Sequence, residues 1–123
     1  PTEGWVSLGF EPSSVMKDSE SIILSNLKGN GLIYHYFGTA REVVTPISTL
    51  DSAYKNDNLA VKSFSYDGKV STYVFVRTEK VKNKYIKELT PGKKIKILFA
   101  YSTSSDISSM HAKAGSETVT LPN

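Results

Sequence analysis

Leu59-Ala60-Val61-Lys62-Ser63-Phe64-Ser65-Tyr66, Asp67-Gly68, then Lys69-Val70-Ser71-Thr72-Tyr73-Val74-Phe75-Val76-Arg77 is the clearest hairpin signal in the chain. Two runs rich in β-branched and aromatic residues flank an Asp-Gly pair, which readily takes positive φ at both positions of a tight turn. A two-residue turn puts Val61 opposite Val74 and Leu59 opposite Val76 on one face. It puts Phe64, Tyr66, Tyr73 and Phe75 on the other. Both faces then carry bulky apolar groups, whereas a hairpin on a protein surface shows one polar face. Something has to cover the aromatic side, either loops and a second sheet or a flat apolar ligand.

The rest of the chain supplies the strands for such a sheet. Gly4-Trp5-Val6-Ser7-Leu8-Gly9-Phe10 alternates as a strand, and Gly9 leaves a gap on its face. Residues 21–25 form a second strand. Lys28-Gly29-Asn30-Gly31 is a turn, and residues 32–37 return as a third strand. Residues 38–58 contain Pro46, Asp51, Asn56, Asp57 and Asn58 and read as a long surface connection with room for one short strand. Residues 83–89 read as a short helix stopped by Thr90-Pro91-Gly92. Residues 94–101 form the most apolar run and the expected central strand, and residues 117–121 form the last strand. Short strands at regular spacing, with Gly, Pro and Asp-Gly between them, predict an all-β fold, an antiparallel β-sandwich.

With 123 residues the chain is read as one domain, 1–123, long enough for one real core and a pocket. No apolar run approaches the length of about 20 residues that crosses a bilayer. The absence of cysteine excludes disulfides, thiolate metal sites, iron–sulfur clusters and haem attached through C-x-x-C-H. The net charge of +3 is modest but uneven. Lys80, Lys82, Lys84, Lys87, Lys93, Lys94 and Lys96 face only Glu79 and Glu88 within residues 79–96, a pattern suited to an acidic partner or to a solvated edge.

Methionine and histidine are scarce, two of each. Met16 follows the break Glu11-Pro12-Ser13-Ser14. Met110 and His111 are neighbours whose side chains point to opposite faces of an extended segment, so one of them faces any given pocket. Imidazole and thioether together fill both axial positions of a haem, which suits electron transfer. Taken alone, a methionine is more often core filler and a histidine more often structural.

The order of the motifs strengthens the haem reading. Gly4-Trp5-Val6-Ser7-Leu8-Gly9-Phe10 followed by Met16 resembles the "GWvaiGf…M" opening of the DOMON family. Ile22-Ile23 is similar to its next strand, Arg77 in Tyr73-Val74-Phe75-Val76-Arg77 to its "f.R" strand, and Ile97-Leu98-Phe99-Ala100-Tyr101 to its "ilwA" strand. His111 with Gly115-Ser116 and Val119-Thr120-Leu121 resembles its closing "H…G…v.l" pattern.

The resemblance implies a DOMON or immunoglobulin-like sandwich, outside the cytoplasm (extracellular, periplasmic or at the cell surface). It would bind b-type haem, as in the cytochrome domain of cellobiose dehydrogenase, or a sugar. In the haem reading Met16 and His111 are the iron ligands. Tyr66 and Tyr101 would reach the propionates through their hydroxyls, and Arg77 and Lys113 by charge. The domain is then no enzyme by itself but an electron-transfer module, alone or within a larger redox enzyme, that meets a redox partner. In the alternative reading it is a carbohydrate-binding module without haem, stacking sugars on Trp5, Tyr34, Tyr36 and Tyr73. Only Pro1-Thr2-Glu3 precede the Gly4-Trp5 strand, where the family usually has one or two more strands. The resemblance therefore implies a trimmed domain or a missing segment, with a sheet edge open to another chain.

Other arrangements are weaker. His35 reads as an alternative ligand or a partly exposed strand residue, and Lys113 as a substitute ligand that would first have to lose its proton. Ser109, His111 and Asp106 could be drawn as a triad, but no nucleophile-elbow motif places an activated serine. No histidine–carboxylate spacing matches a zinc site, no Gly-rich phosphate loop opens a helix, and no aromatic platform motif points to nucleic acid.

Overall fold

The structure is a computed structural model that describes residues 4–27, 30–54, 59–77, 83–104, 106–107 and 111–122. Eight strands and one short helix follow one another: β1 (Gly4–Phe10), β2 (Glu20–Leu27), β3 (Asn30–Ala40), β4 (Val43–Pro46), α1 (Ile47–Leu50), β5 (Leu59–Tyr66), β6 (Ser71–Arg77), β7 (Lys94–Ser102) and β8 (Lys113–Thr120). Six strands make one antiparallel sheet in the order β4-β3-β2-β1-β7-β8, and β5 and β6 make a second sheet of two. The all-β antiparallel expectation holds. The run at residues 94–101 is not central, however: β7 is next to last, and β1 and β2 hold the middle.

Alternation in β1 sends Val6, Leu8 and Phe10 to one face, and the register matches them to Leu24, Ile22 and Glu20 on β2. On the other side they meet Tyr101, Phe99 and Ile97 on β7. This is the face the hairpin covers. Phe10, Ile22, Leu24, Ile95 and Leu59 form the buried cluster, with Val6, Leu8, Ile33, Tyr73 and Phe75 packed around it.

The hairpin solves its two-faced pattern with a bulge. Leu59 pairs with Arg77 and Val61 with Phe75, but Ser63 pairs with Val74, leaving Lys62 as the extra residue. One extra residue reverses every side chain after it. Leu59 and Val61 before the bulge, and Phe64 and Tyr66 after it, therefore all turn toward the core, while Val74 and Val76 turn to solvent. The turn also differs from the expected two-residue form, because Tyr66 pairs with Ser71 across Asp67-Gly68-Lys69-Val70. Asp67 Oδ1 accepts the Lys69 and Val70 amides at 2.9 and 2.8 Å, and this local cap selects the longer turn.

Two further expectations are corrected. The third strand does not stop at Phe37: β3 runs on to Ala40 and turns back as β4, the one short strand this segment had room for, with Thr39 and Thr45 hydroxyls 2.9 Å apart. Residues 83–89 make no helix. The Asn83 side chain accepts the Tyr85 amide at 2.8 Å, and Ile86 is pinned into the interior beyond that turn. The α1 turn forms instead at residues 47–50, right after Pro46, which serves as its N-cap.

Candidate functional site

Most of the predicted site residues gather at one end of the sheets. Tyr101 pairs with Val6 and with Lys113, and the Ala112 amide donates to the Tyr101 carbonyl at 2.7 Å. His111, exposed, sits beside this pair. Tyr66 pairs with Ser71, whose hydroxyl accepts from Asn26 Nδ2 at 3.2 Å, and Asn26 pairs with Gly4. Tyr66, Tyr101, His111 and Lys113 thus share the end where β1 begins.

Met16 and Arg77 lie at the other end. Met16 occupies the tight turn between β1 and β2, its amide on the Arg41 carbonyl at 3.0 Å and its carbonyl accepting the Ser19 hydroxyl at 2.7 Å. Val15 and Asp18 on either side take φ of +53° and +63°. Gly38 of β3 presses on this turn: a Cβ there would meet the Met16 carbonyl oxygen at 1.8 Å. The length of β1, about 20 Å at 3.3–3.4 Å per residue, separates Met16 from His111. The structure does not bring them to the two sides of one iron, so these residues as placed do not fit a His/Met-ligated haem. Met110 lies outside the described residues, and among the described residues no group of three or more His, Asp or Glu could hold a metal ion.

Arg77 has a different job from the propionate partner expected of it. Its Nε donates to Glu20 Oε2 at 2.8 Å and its Nη2 to Glu20 Oε1 at 2.5 Å, and it also reaches the Lys87 carbonyl. The Lys87 amide donates to Glu20 Oε1 at 2.6 Å. His35 Nε2 lies 2.7 Å from Glu20 Oε2, and His35 Nδ1 lies 2.6 Å from the Tyr54 hydroxyl. His35 is not a partly exposed strand residue; it is buried, and Glu20 beside it is wholly so. Burial alone would raise the Glu20 pKa, but hydrogen bonds and charge from Arg77 and His35 outweigh it and hold the carboxyl below its ordinary value. An ionised Glu20 only accepts, so His35 carries a proton on Nε2.

This buried network backs onto a groove of about 390 Å³. Ile33, Tyr34, His35 and Tyr36, four successive residues of β3, line it, so it runs along the strand's edge. It exists because β4 pairs with β3 only as far as Pro46 opposite Tyr36. The chain then turns through α1, and Pro46, Ser48 and Tyr54 form the far wall. Tyr34 and Tyr36 meet edge to face, ring centres 6.5 Å apart. Burial first, then the neighbouring Tyr34, push the Tyr36 hydroxyl above its usual pKa, so it stays protonated.

Of the aromatics expected to stack on sugar, only Tyr34 and Tyr36 are in this groove. Trp5 is buried with its indole N–H on the Asp106 carbonyl at 3.1 Å, and Tyr73 packs on the core. Sequence reasoning missed Glu20 and Tyr54. Glu20 was there to be found, since period two puts it on the same face as Ile22 and Leu24. Tyr54, in an irregular segment, carries no such signal. In the lysine-rich stretch, Lys93 pairs with Glu11 at 2.9 Å, while Lys84 and Lys87 lie over the rings of Tyr85 and Phe37; Lys80 and Lys82 lie outside the described residues.

Among the described residues no helix is long and apolar enough to cross a membrane. Searches of curated proteins and of solved structures returned no match. The family model for the DOMON domain matches residues 1–102, which takes in β1 through β7 and stops before His111 and β8. With most of its length matched and the antiparallel sandwich in place, the chain belongs to the DOMON domain family.

Proposed function

We propose that the chain is a carbohydrate-binding DOMON module, acting by recognition rather than catalysis and working outside the cytoplasm, where domains of this family are often found. The observation that carries this reading is the β3-edge groove, where Tyr34, Tyr36 and Tyr54 converge with the Ser48 side of α1. Its volume falls within the usual range for small-ligand sites. Tyrosines supply apolar ring faces for the C–H face of a sugar and hydroxyls for its rim.

The test is calorimetric titration with neutral oligosaccharides. Binding that Tyr36→Ala abolishes, and that Met16→Ala and His111→Ala leave unchanged, supports the module. The rival is a b-type cytochrome meeting a redox partner, which rests on the motif positions of Met16 and His111. It would announce itself by a low-spin haem spectrum after haemin is added, altered by Met16→Ala. That spectrum, or the absence of oligosaccharide binding, overturns the carbohydrate reading.

A further inference from the structure

We infer that the free edge of β8 pairs with itself, so that two copies of this chain join edge to edge in the antiparallel register that sets Lys113 of each opposite Glu117 of the other. The inference stands apart from the carbohydrate reading, because the groove lies along β3, toward the other edge of the sheet. β8 ends the six-stranded sheet, and among the described residues no strand pairs with its outer side. Six of its eight residues are exposed, so its outward amides and carbonyls are open to another strand. A lysine on such an edge normally keeps strands apart. Here a glutamate stands four residues on, with Gly115 midway. Within one copy the two charges are about 13 Å apart along the strand and do not meet. Among the described residues neither makes an ion pair. A two-fold axis through Gly115 pairs both of them twice, Lys113 with Glu117 and Glu117 with Lys113.

The apolar side of the sheet supports the same register. Lys113, Gly115, Glu117 and Val119 share the face that carries the core, since they pair with Tyr101, Phe99, Ile97 and Ile95. The covering layer has two strands against six, about 5 Å of width apiece, and β5 lies by β3. Phe99, on the β8 side, stays 46% exposed. Its ring lies on Gly115, where a Cβ would meet two ring carbons at 2.7 Å. Pairing Gly115 with Gly115 therefore brings the two Phe99 rings to roughly 5 Å, one strand spacing and the distance of an aromatic pair. Apolar surface is thus buried where the charges meet. On the opposite face Ala114 falls against Ser116, two small side chains that fit side by side. Centring the pair on Ser116 instead sets Lys113 opposite Val119 and Glu117 opposite Gly115, and neither charge is met. The joined copies keep both β3 grooves open at the outer ends of one shared sheet.

The test is sedimentation velocity on the full chain, from micromolar to about millimolar concentration, because an interface this small is weak. The wild type should shift toward the dimer as concentration rises. Lys113→Glu and Glu117→Lys each create two like-charged contacts, on exposed side chains whose reversal leaves the fold intact. Each should weaken self-association about tenfold or more. Mixing the two variants should restore association, since every contact between unlike copies is again lysine on glutamate. The double variant K113E/E117K should restore it within one chain. Phe99→Ser should weaken the dimer with no change of charge. Amide exchange gives a second reading on the wild type: outward β8 amides should slow as concentration rises. A wild type that stays monomeric to millimolar concentration overturns the inference. So does a dimer that the single reversals leave unchanged, or a mixture of the two variants that does not associate.

Discussion

Arg77 grips Glu20 with two nitrogens, Nε on Oε2 at 2.8 Å and Nη2 on Oε1 at 2.5 Å, and the carboxylate it holds is fully buried. Arg77 ends β6 and Glu20 begins β2, so this pair ties the two sheets together at one end. Removing the arginine would leave an uncompensated charge inside. Arg77→Ala should therefore cost about 3–5 kcal/mol, the usual penalty for breaking a buried pair from one side. Urea denaturation would read it as a lowered midpoint with an unchanged slope.

The same carboxylate sets an acid limit. Its folded pKa lies below the ordinary value of 4.5, so an unfolded chain takes up its proton first as the pH falls. The stability contributed by Glu20 is complete above the unfolded value and is lost as the pH drops from there through the folded one. Thermal melts of the wild type should lose stability over that window. Glu20→Gln, less stable at neutral pH, should show a flatter acid limb.

Two glycines should respond very differently to alanine. Gly38→Ala drives a methyl group onto the Met16 carbonyl oxygen at 1.8 Å, a backbone atom that cannot swing aside. It should cost at least the 1–3 kcal/mol or so of an overpacked site. Gly115→Ala meets only the far end of the Phe99 ring at 2.7 Å, and Phe99 is 46% exposed. The ring can move, and the change should stay within about 0.5 kcal/mol. Paired melting curves would separate the two.

Lys62 matters by its presence and not by its side chain, which points to water. Lys62→Ala should be neutral to within about 0.5 kcal/mol. Deleting the residue removes the bulge and throws either Leu59 and Val61 or Phe64 and Tyr66 out of the core. The deletion variant should melt far lower or fail to fold, as circular dichroism would show.

Much of the sandwich was legible from local pattern. β1, β5, β6 and β7 stand within a residue or two of where alternation put them, because a half-buried strand must alternate. The bulge at Lys62 was hidden, since an extra residue is defined by its partner strand and not by its own neighbours. The missed extension of β3 has the same cause: pairing across Gly38 and Val44 outweighed the turn-forming look of the segment. At the site, Arg77 drew attention for the right reason, an arginine ending an apolar strand, but its partner was assigned to a ligand instead of to Glu20. The distance between Met16 and His111 could not be read from motif order, because order along the chain says nothing about which end of a sheet a turn occupies.

The two-stranded layer owns all of its ladder hydrogen bonds internally, and among the described residues no main-chain bond joins it to the sheet beneath. Apolar contact fastens it, with polar clasps that include Arg77 on Glu20 at one end and Asn26 on Ser71 at the other. Such a layer behaves as a flap on the larger sheet. Its amides should exchange with solvent through lifting of the whole hairpin, at a free energy below that of global unfolding. Loss of the Arg77 clasp would lower that threshold first, well before β1 and β2 begin to separate.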